Sequence, residues 1–131
     1  DTIKAKVAIN PLFVDVSAPA EAEIGKIFQV EAKVKNKGGE KIENARGEIF
    51  LPPEIIIIKK DSVKNLGTIP GKKEKKISWI VKGRKEGNYI ISVLASGKLK
   101  GELVQADDSI MVAMKLSIRR KNLWQWLKEF F

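Results

Sequence analysis

Ile27-Phe28-Gln29-Val30-Glu31-Ala32-Lys33-Val34-Lys35-Asn36 decides the fold class, because apolar and polar residues change places at every step. A period of two puts Phe28, Val30, Ala32 and Val34 on one face of an extended chain and Gln29, Glu31, Lys33 and Lys35 on the other. A helix of the same composition would spread both kinds of residue round its circumference. The run therefore reads as a strand with one covered face. Gly25-Lys26 leads into it, and Asn36-Lys37-Gly38-Gly39 leads out with glycines that tolerate the backbone of a tight turn.

The same alternation recurs on either side. Ile3, Ala5, Val7 and Ile9 alternate with Lys4, Lys6 and Ala8, and Asn10-Pro11 breaks the run. Residues 12–16 continue the same edge after a bend, since Pro11 lacks the amide a central ladder requires. Ser17-Ala18-Pro19 turns the chain. Beyond the opening strand, residues 43–51 place Ala45, Gly47, Ile49 and Leu51 on one face, and Pro52-Pro53 stops them. Ile55-Ile56-Ile57-Ile58 is a short strand or a segment crossing the end of the core, because four successive β-branched side chains suit an extended backbone. Leu66-Gly67-Thr68-Ile69-Pro70-Gly71 reads as a reversal. Ile77, Trp79 and Val81 share a covered face, with Trp79 as core filler; residues 83–88 form the next turn. Tyr89, Ile91, Val93 and Ala95 follow, with enough apolar residues on the opposite parity to suggest a central strand. Residues 99–105 read as a short strand, Asp107-Asp108-Ser109 as a turn, and Ile110, Val112, Met114, Leu116 and Ile118 as the covered face of a last strand.

Seven to nine strands separated by Gly, Pro, Asn and Asp turns, with no helix of sufficient length between them, point to an all-β chain. Two packed antiparallel sheets in an immunoglobulin-like sandwich are the economical arrangement. The 131 residues suffice for one such core without a metal or disulfide. We assign residues 1–118 to the sandwich domain and 119–131 to a short amphipathic helix. Asp1 carries no start methionine, which fits a piece of a longer protein. No run approaches the roughly 18 apolar residues of a membrane span, and no signal-peptide pattern occurs.

The chain has no histidine and no cysteine, so the side chains most used for metal binding and nucleophilic catalysis are missing. Asp107 and Asp108 are adjacent and do not converge. No glycine-rich loop is followed by the Lys-Ser or Lys-Thr and helix of a phosphate site, and Glu21, Glu23 and Asp61 lack the regular spacing of a calcium loop. The expectation is a protein that is not an enzyme and uses no cofactor or metal. A net charge of +9, from 25 Lys and Arg against 16 Asp and Glu, would attract anionic partners. Its one local concentration is Lys72, Lys73, Lys75, Lys76, Lys82, Arg84 and Lys85. We take Lys72, Lys73, Lys75, Lys76, Arg84 and Lys85 as a candidate anionic contact, against the plainer reading of solvated strand and turn faces. Nucleic acid is disfavoured, because Phe13, Phe28, Phe50 and Tyr89 do not interleave with the basic residues as a stacking platform would. Abundant Lys and Glu beside Ile and Val resemble the composition of heat-tolerant, thermophilic proteins.

From Arg119 the alternation stops. Asn122 can cap a helix with Gln125 in capping-box spacing, and Leu123, Leu127, Phe130 and Phe131 then gather on one side with Trp124 at the margin. So short a helix must pack on something. Three destinations compete for this face: the sandwich or its open edge, an anionic membrane surface favoured by Arg119, Arg120 and Lys121, and a partner chain or neighbouring domain.

The order of several short motifs resembles the CARDB family, the cell adhesion related domain found in bacteria. They are Ile24-Gly25 before the opening strand and its Asn36-Lys37-Gly38; Leu51-Pro52; Leu66-Gly67-Thr68-Ile69-Pro70-Gly71-Lys72-Lys73-Glu74; Ile77-Ser78-Trp79; and Gly87-Asn88-Tyr89-Ile90-Ile91 with Val93 and Ala95. In that family the Asn-x-Gly segment is a turn between strands, the Leu-Gly segment precedes a strand, and Gly-x-Tyr opens another. Here the Leu-Gly segment is one residue short. The resemblance covers a little over half the chain and departs after Gly97, where this chain continues through Met114 and Ile118. It implies a non-catalytic, extracellular or cell-surface binding or structural module with a protein or glycan partner. Its rivals are an accessory domain bracing the catalytic part of a secreted hydrolase or protease, and a module docking at a membrane interface through the C-terminal helix.

Overall fold

The computed structural model describes residues 10–59 and 61–116. Nine strands lie in that stretch: β1 (Leu12–Ser17), β2 (Glu21–Glu23), β3 (Ile27–Asn36), β4 (Ile42–Phe50), β5 (Ile55–Ile57), β6 (Val63–Ile69), β7 (Glu74–Gly83), β8 (Gly87–Leu99) and β9 (Glu102–Lys115). They form two sheets, a four-stranded one in the order β1-β3-β7-β5 and a five-stranded one in the order β2-β9-β8-β4-β6. Every described pairing is antiparallel except that of β2 with β9, which is parallel. The immunoglobulin-like sandwich expected from the alternation is the observed fold.

The covered faces meet as the period of two requires. Val30, Ala32 and Val34 of β3 and Ile77, Trp79 and Val81 of β7 face Ile91, Val93 and Ala95 of β8 and Val112 and Met114 of β9, all buried. Each such large aliphatic side chain contributes roughly 1.5–3 kcal/mol on leaving water. β8 is central in its sheet, between β9 and β4, as its two apolar parities suggested.

Three sequence readings are corrected. The reversal expected at residues 66–71 is the end of strand β6, and the chain turns only at Pro70-Gly71-Lys72-Lys73, closed by Lys73 N donating to the Pro70 carbonyl at 3.2 Å. Gly67, with φ of 69°, belongs to a bulge within the strand, which lets Leu66 and Ile69 both turn inward although three positions apart. Residues 99–109 do not hold a short strand and a second turn. The reversal is the two-residue Lys100-Gly101, with φ of 51° and 81°, and β9 then runs 14 residues straight through Asp107-Asp108-Ser109. The stretch after Ser17-Ala18-Pro19 also carries a strand that the sequence did not suggest: β2 crosses to the other sheet and pairs with residues 113–115 of β9. The strand expected at residues 3–9, the boundary between residues 118 and 119, and the amphipathic helix lie outside the described residues.

Asp108 shows why the polar triplet does not interrupt β9. It lies on the inward parity, and its Oδ2 accepts a hydrogen bond from Val16 N on β1 at 2.9 Å. Asn10 adds two more links on the same seam, accepting from Leu12 N at 3.0 Å and donating to the Gln105 carbonyl at 2.5 Å. Among the described residues β1 is an edge strand, and these side chains cover amides on the side that its sheet leaves open. Asp108→Ala is expected to cost about 1–3 kcal/mol by stranding the Val16 amide. Asp108→Asn, which keeps an acceptor, should cost less. Urea unfolding together with hydrogen exchange at Val16 checks both; equal exchange in all three proteins would show that the bond does not form.

Candidate functional site

At one end of the sandwich, the loops around residues 10–11, 36–41 and 70–73 are tied together by a single side chain. Asn36, 1% exposed, shares its two Nδ2 protons among the carbonyls of Glu40 at 2.7 Å, Ile69 at 3.0 Å and Pro70 at 3.3 Å, and its Oδ1 accepts from Gly38 N at 3.0 Å. Backbone bonds reinforce the knot: Asn36 N to the Lys73 carbonyl, Lys72 N to that of Gly38, and Lys37 N to that of Pro11. The loops approach so closely at Gly71 that a Cβ there would lie 2.3 Å from the Gly39 carbonyl oxygen.

This rigid knot positions lysines. Lys72 sits at φ of 67°, a conformation costing of order 1 kcal/mol for a residue with a side chain, and its Nζ donates to the Lys37 carbonyl at 2.8 Å. The Lys37 ammonium in turn stands 3.8 Å from the centre of the Phe13 ring. Together with Lys35, Lys73, Asn36 and one carboxylate, that of Glu74, they line a shallow cleft of about 340 Å³.

The six candidate residues for an anionic contact are not gathered in one place. Lys72 and Lys73 are on the cleft just described. Lys75 is half-buried on the inward parity of β7, and its Nζ donates across to the Leu66 carbonyl on β6 at 2.8 Å. Lys76 lies on the outer face of its sheet, opposite Lys33. Arg84 and Lys85 lie beyond the far end of β7, roughly 30 Å away at the rise of an extended strand, beside Pro53 and Glu54. There Tyr89, of the Gly-x-Tyr motif, shares its hydroxyl proton between the carbonyls of Lys85 at 3.0 Å and Glu86 at 3.1 Å. Desolvation first, and the Glu54 carboxylate second, hold its pKa above the usual phenol value. The sequence reading missed Lys35 and Lys37. Their signal lay in the turn motif Asn36-Lys37-Gly38, which marks a hub only once β3 and β7 are seen to be neighbours.

A second concave place lies on the outer face of the five-stranded sheet, where β4 and β6 are both irregular. Between Ile42 and Ala45 strand β4 carries one residue more than either neighbour, with Asn44 at φ of 51°; between Ala45 and Arg46 it is β6 that carries the extra residue. The opposed bulges part the side chains and leave a groove of about 410 Å³ walled by Asn44, Arg46, Asn65, Ser96, Lys98 and Leu103. Among the described residues there is no group of three or more His, Cys, Asp or Glu placed to hold a metal ion.

No family model matches the chain, and no curated protein matches it in sequence. Among solved structures it is similar to the CARDB domain of a Pyrococcus furiosus protein. The solution structure of that domain superposes with a TM-score of 0.61 at 20% identity, over 81% of this chain and 95% of that one. A crystal structure of the same domain in complex with di-metal ions gives a TM-score of 0.60 at 20% identity, over 79% and 87%. The native conformation of alpha-2-macroglobulin from E. coli is similar at a TM-score of 0.64 and 12% identity, over 80% of this chain but only 7% of that much longer one. The likeness is one of fold, and it agrees with the CARDB resemblance of the sequence motifs.

Proposed function

We propose that this chain, built on the frame of a CARDB domain, is a non-catalytic binding or structural module of an extracellular or cell-surface protein, contacting a protein or glycan and leaving it chemically unchanged. The observation that carries this reading is the extent of the match, since nearly the whole of the P. furiosus domain, 95%, is covered. The described strands therefore need no inserted catalytic subdomain to account for them.

The contact surface we favour is the knotted end bearing Lys35, Lys37, Lys72 and Lys73. They stand on a backbone fixed by Asn36, and Lys37 and Lys72 are also held through their side chains, so little backbone freedom is lost when an anionic partner docks. The double variant Lys72→Gln/Lys73→Gln is expected to leave a heparin column at clearly lower salt than wild type, and at lower salt than Arg84→Gln/Lys85→Gln, which removes the same charge from the far end. Equal shifts for the two double variants would mean diffuse attraction and would remove this end from consideration. Measurable turnover by the isolated chain would overturn the module reading itself.

A further inference from the structure

The groove on the five-stranded sheet has features that a plain sheet face lacks. Its floor includes Ser96, which is 9% exposed although it lies on the outward parity of β8. Arg46 is beside it, with Nε 3.4 Å from Ser96 Oγ, and this long contact is the guanidinium's one hydrogen bond among the described residues. Lys98 stands opposite Glu43 in the ladder, yet neither it nor Arg46 takes part in an ion pair among the described residues. Two cations thus share a concave site with no carboxylate bound to either. The volume of about 410 Å³ is that of a small-ligand site.

From this arrangement we infer that the groove binds a carboxylate-bearing sugar, a uronic acid residue within an acidic glycan. Arg46 takes the carboxylate, through the paired donors that a guanidinium presents to it, and Lys98 adds charge. Asn44 and Asn65 each offer an amide that can donate and accept, matching vicinal hydroxyls. Leu103, 63% exposed at the rim, supplies an apolar surface for the C–H face of the ring. An acidic peptide fits less well. Peptides that join sheets do so at free edges, whereas β4 and β8 are flanked by strands on both sides, so recognition here falls to side chains. The assignment rests on the binding-module reading and names a ligand class for it.

The test is a titration of the isotope-labelled 131-residue chain with an oligogalacturonate, a neutral galacto-oligosaccharide of equal length and an oligoglutamate, at about 0.15 M salt so that exposed charges are screened. The expected result is saturable shifts at the amides of Gly67, Ser96 and Gly97 with the oligogalacturonate alone. Arg46→Gln should weaken binding by about tenfold or more, the loss of a charge-assisted pair. Lys98→Gln should weaken it less, and Lys33→Gln, on the outer face of the other sheet, not at all. Unchanged thermal midpoints in Arg46→Gln and Lys98→Gln keep the comparison clean. No shift at those amides, an equal response to the neutral sugar, or an equal response to oligoglutamate would each overturn the proposal. If oligogalacturonate instead binds in a way that only Lys72→Gln/Lys73→Gln abolishes, the groove is wrong and the module reading stands; cleavage of the oligosaccharide would end both.

Discussion

Trp79→Ala should lower the free energy of unfolding by about 3–5 kcal/mol. Trp79 is 2% exposed and stands in the middle of β7, paired with Val30 of β3. Across the sandwich it comes up to Gly47 of β4, where a Cβ would lie 3.7 Å from its Cη2. The indole Nε1 is buried and has no hydrogen-bond partner among the described residues. Trp79→Phe should therefore be far milder, because it removes an unmet donor along with part of the ring, and these changes act in opposite directions. Urea unfolding followed by far-ultraviolet circular dichroism checks the pair, since tryptophan fluorescence would change with the substitution itself. If Trp79→Phe proves as costly as Trp79→Ala, the indole NH is bonded and its volume is not the main contribution.

Asn36 is expected to be nearly as sensitive, for a different reason. Asn36→Ala strips one bond from each of the carbonyls of Glu40, Ile69 and Pro70 and leaves the Gly38 amide without its acceptor. A buried unsatisfied group costs about 1–3 kcal/mol, but these loops are near water, so we expect a total of about 3 kcal/mol and a fall in melting temperature of roughly 10 °C. Asn36→Asp should be worse still. It keeps the acceptor for Gly38 but turns a charged oxygen toward three carbonyl oxygens. Thermal unfolding of wild type and the two variants orders them. If Asn36→Asp melts above Asn36→Ala, the acceptor and not the donor holds the knot. Disruption of the knot should also lower heparin affinity, because Lys37 and Lys72 are held on the same backbone.

How much of this was legible depended on whether the periodicity was unbroken. The strand at residues 27–36 has the boundaries its alternation indicated, and Trp79 is in the core because its parity said so. Where the backbone gains or loses a residue, the signal fails. The extra residue at Asn44 sends Ile42 and Ala45 to the same side, and Gly67 does the same for Leu66 and Ile69, so a strand with a bulge imitates a turn. Asp107-Asp108-Ser109 imitates one too. Its meaning comes from Val16, 92 positions away in the chain, and no local pattern carries such a contact. The basic cluster was legible as composition but not as a place, because strand β7 carries its members to opposite ends. The groove at Arg46 was not legible at all: it exists only through the registers of β4, β6 and β8 against one another.

The parallel pairing of β2 with β9 bears on how the molecule carries load. The chain enters the described fold at Asn10, beside the knotted end, and leaves it at Leu116, at the other end, where Ile24 N bonds to the Lys115 carbonyl. A tension applied between these two points draws β2 and β9 lengthwise past each other, so the bonds of their ladder bear the force together and cannot be opened one by one. In a tether exposed to pulling, that distinguishes a clamp from a zip.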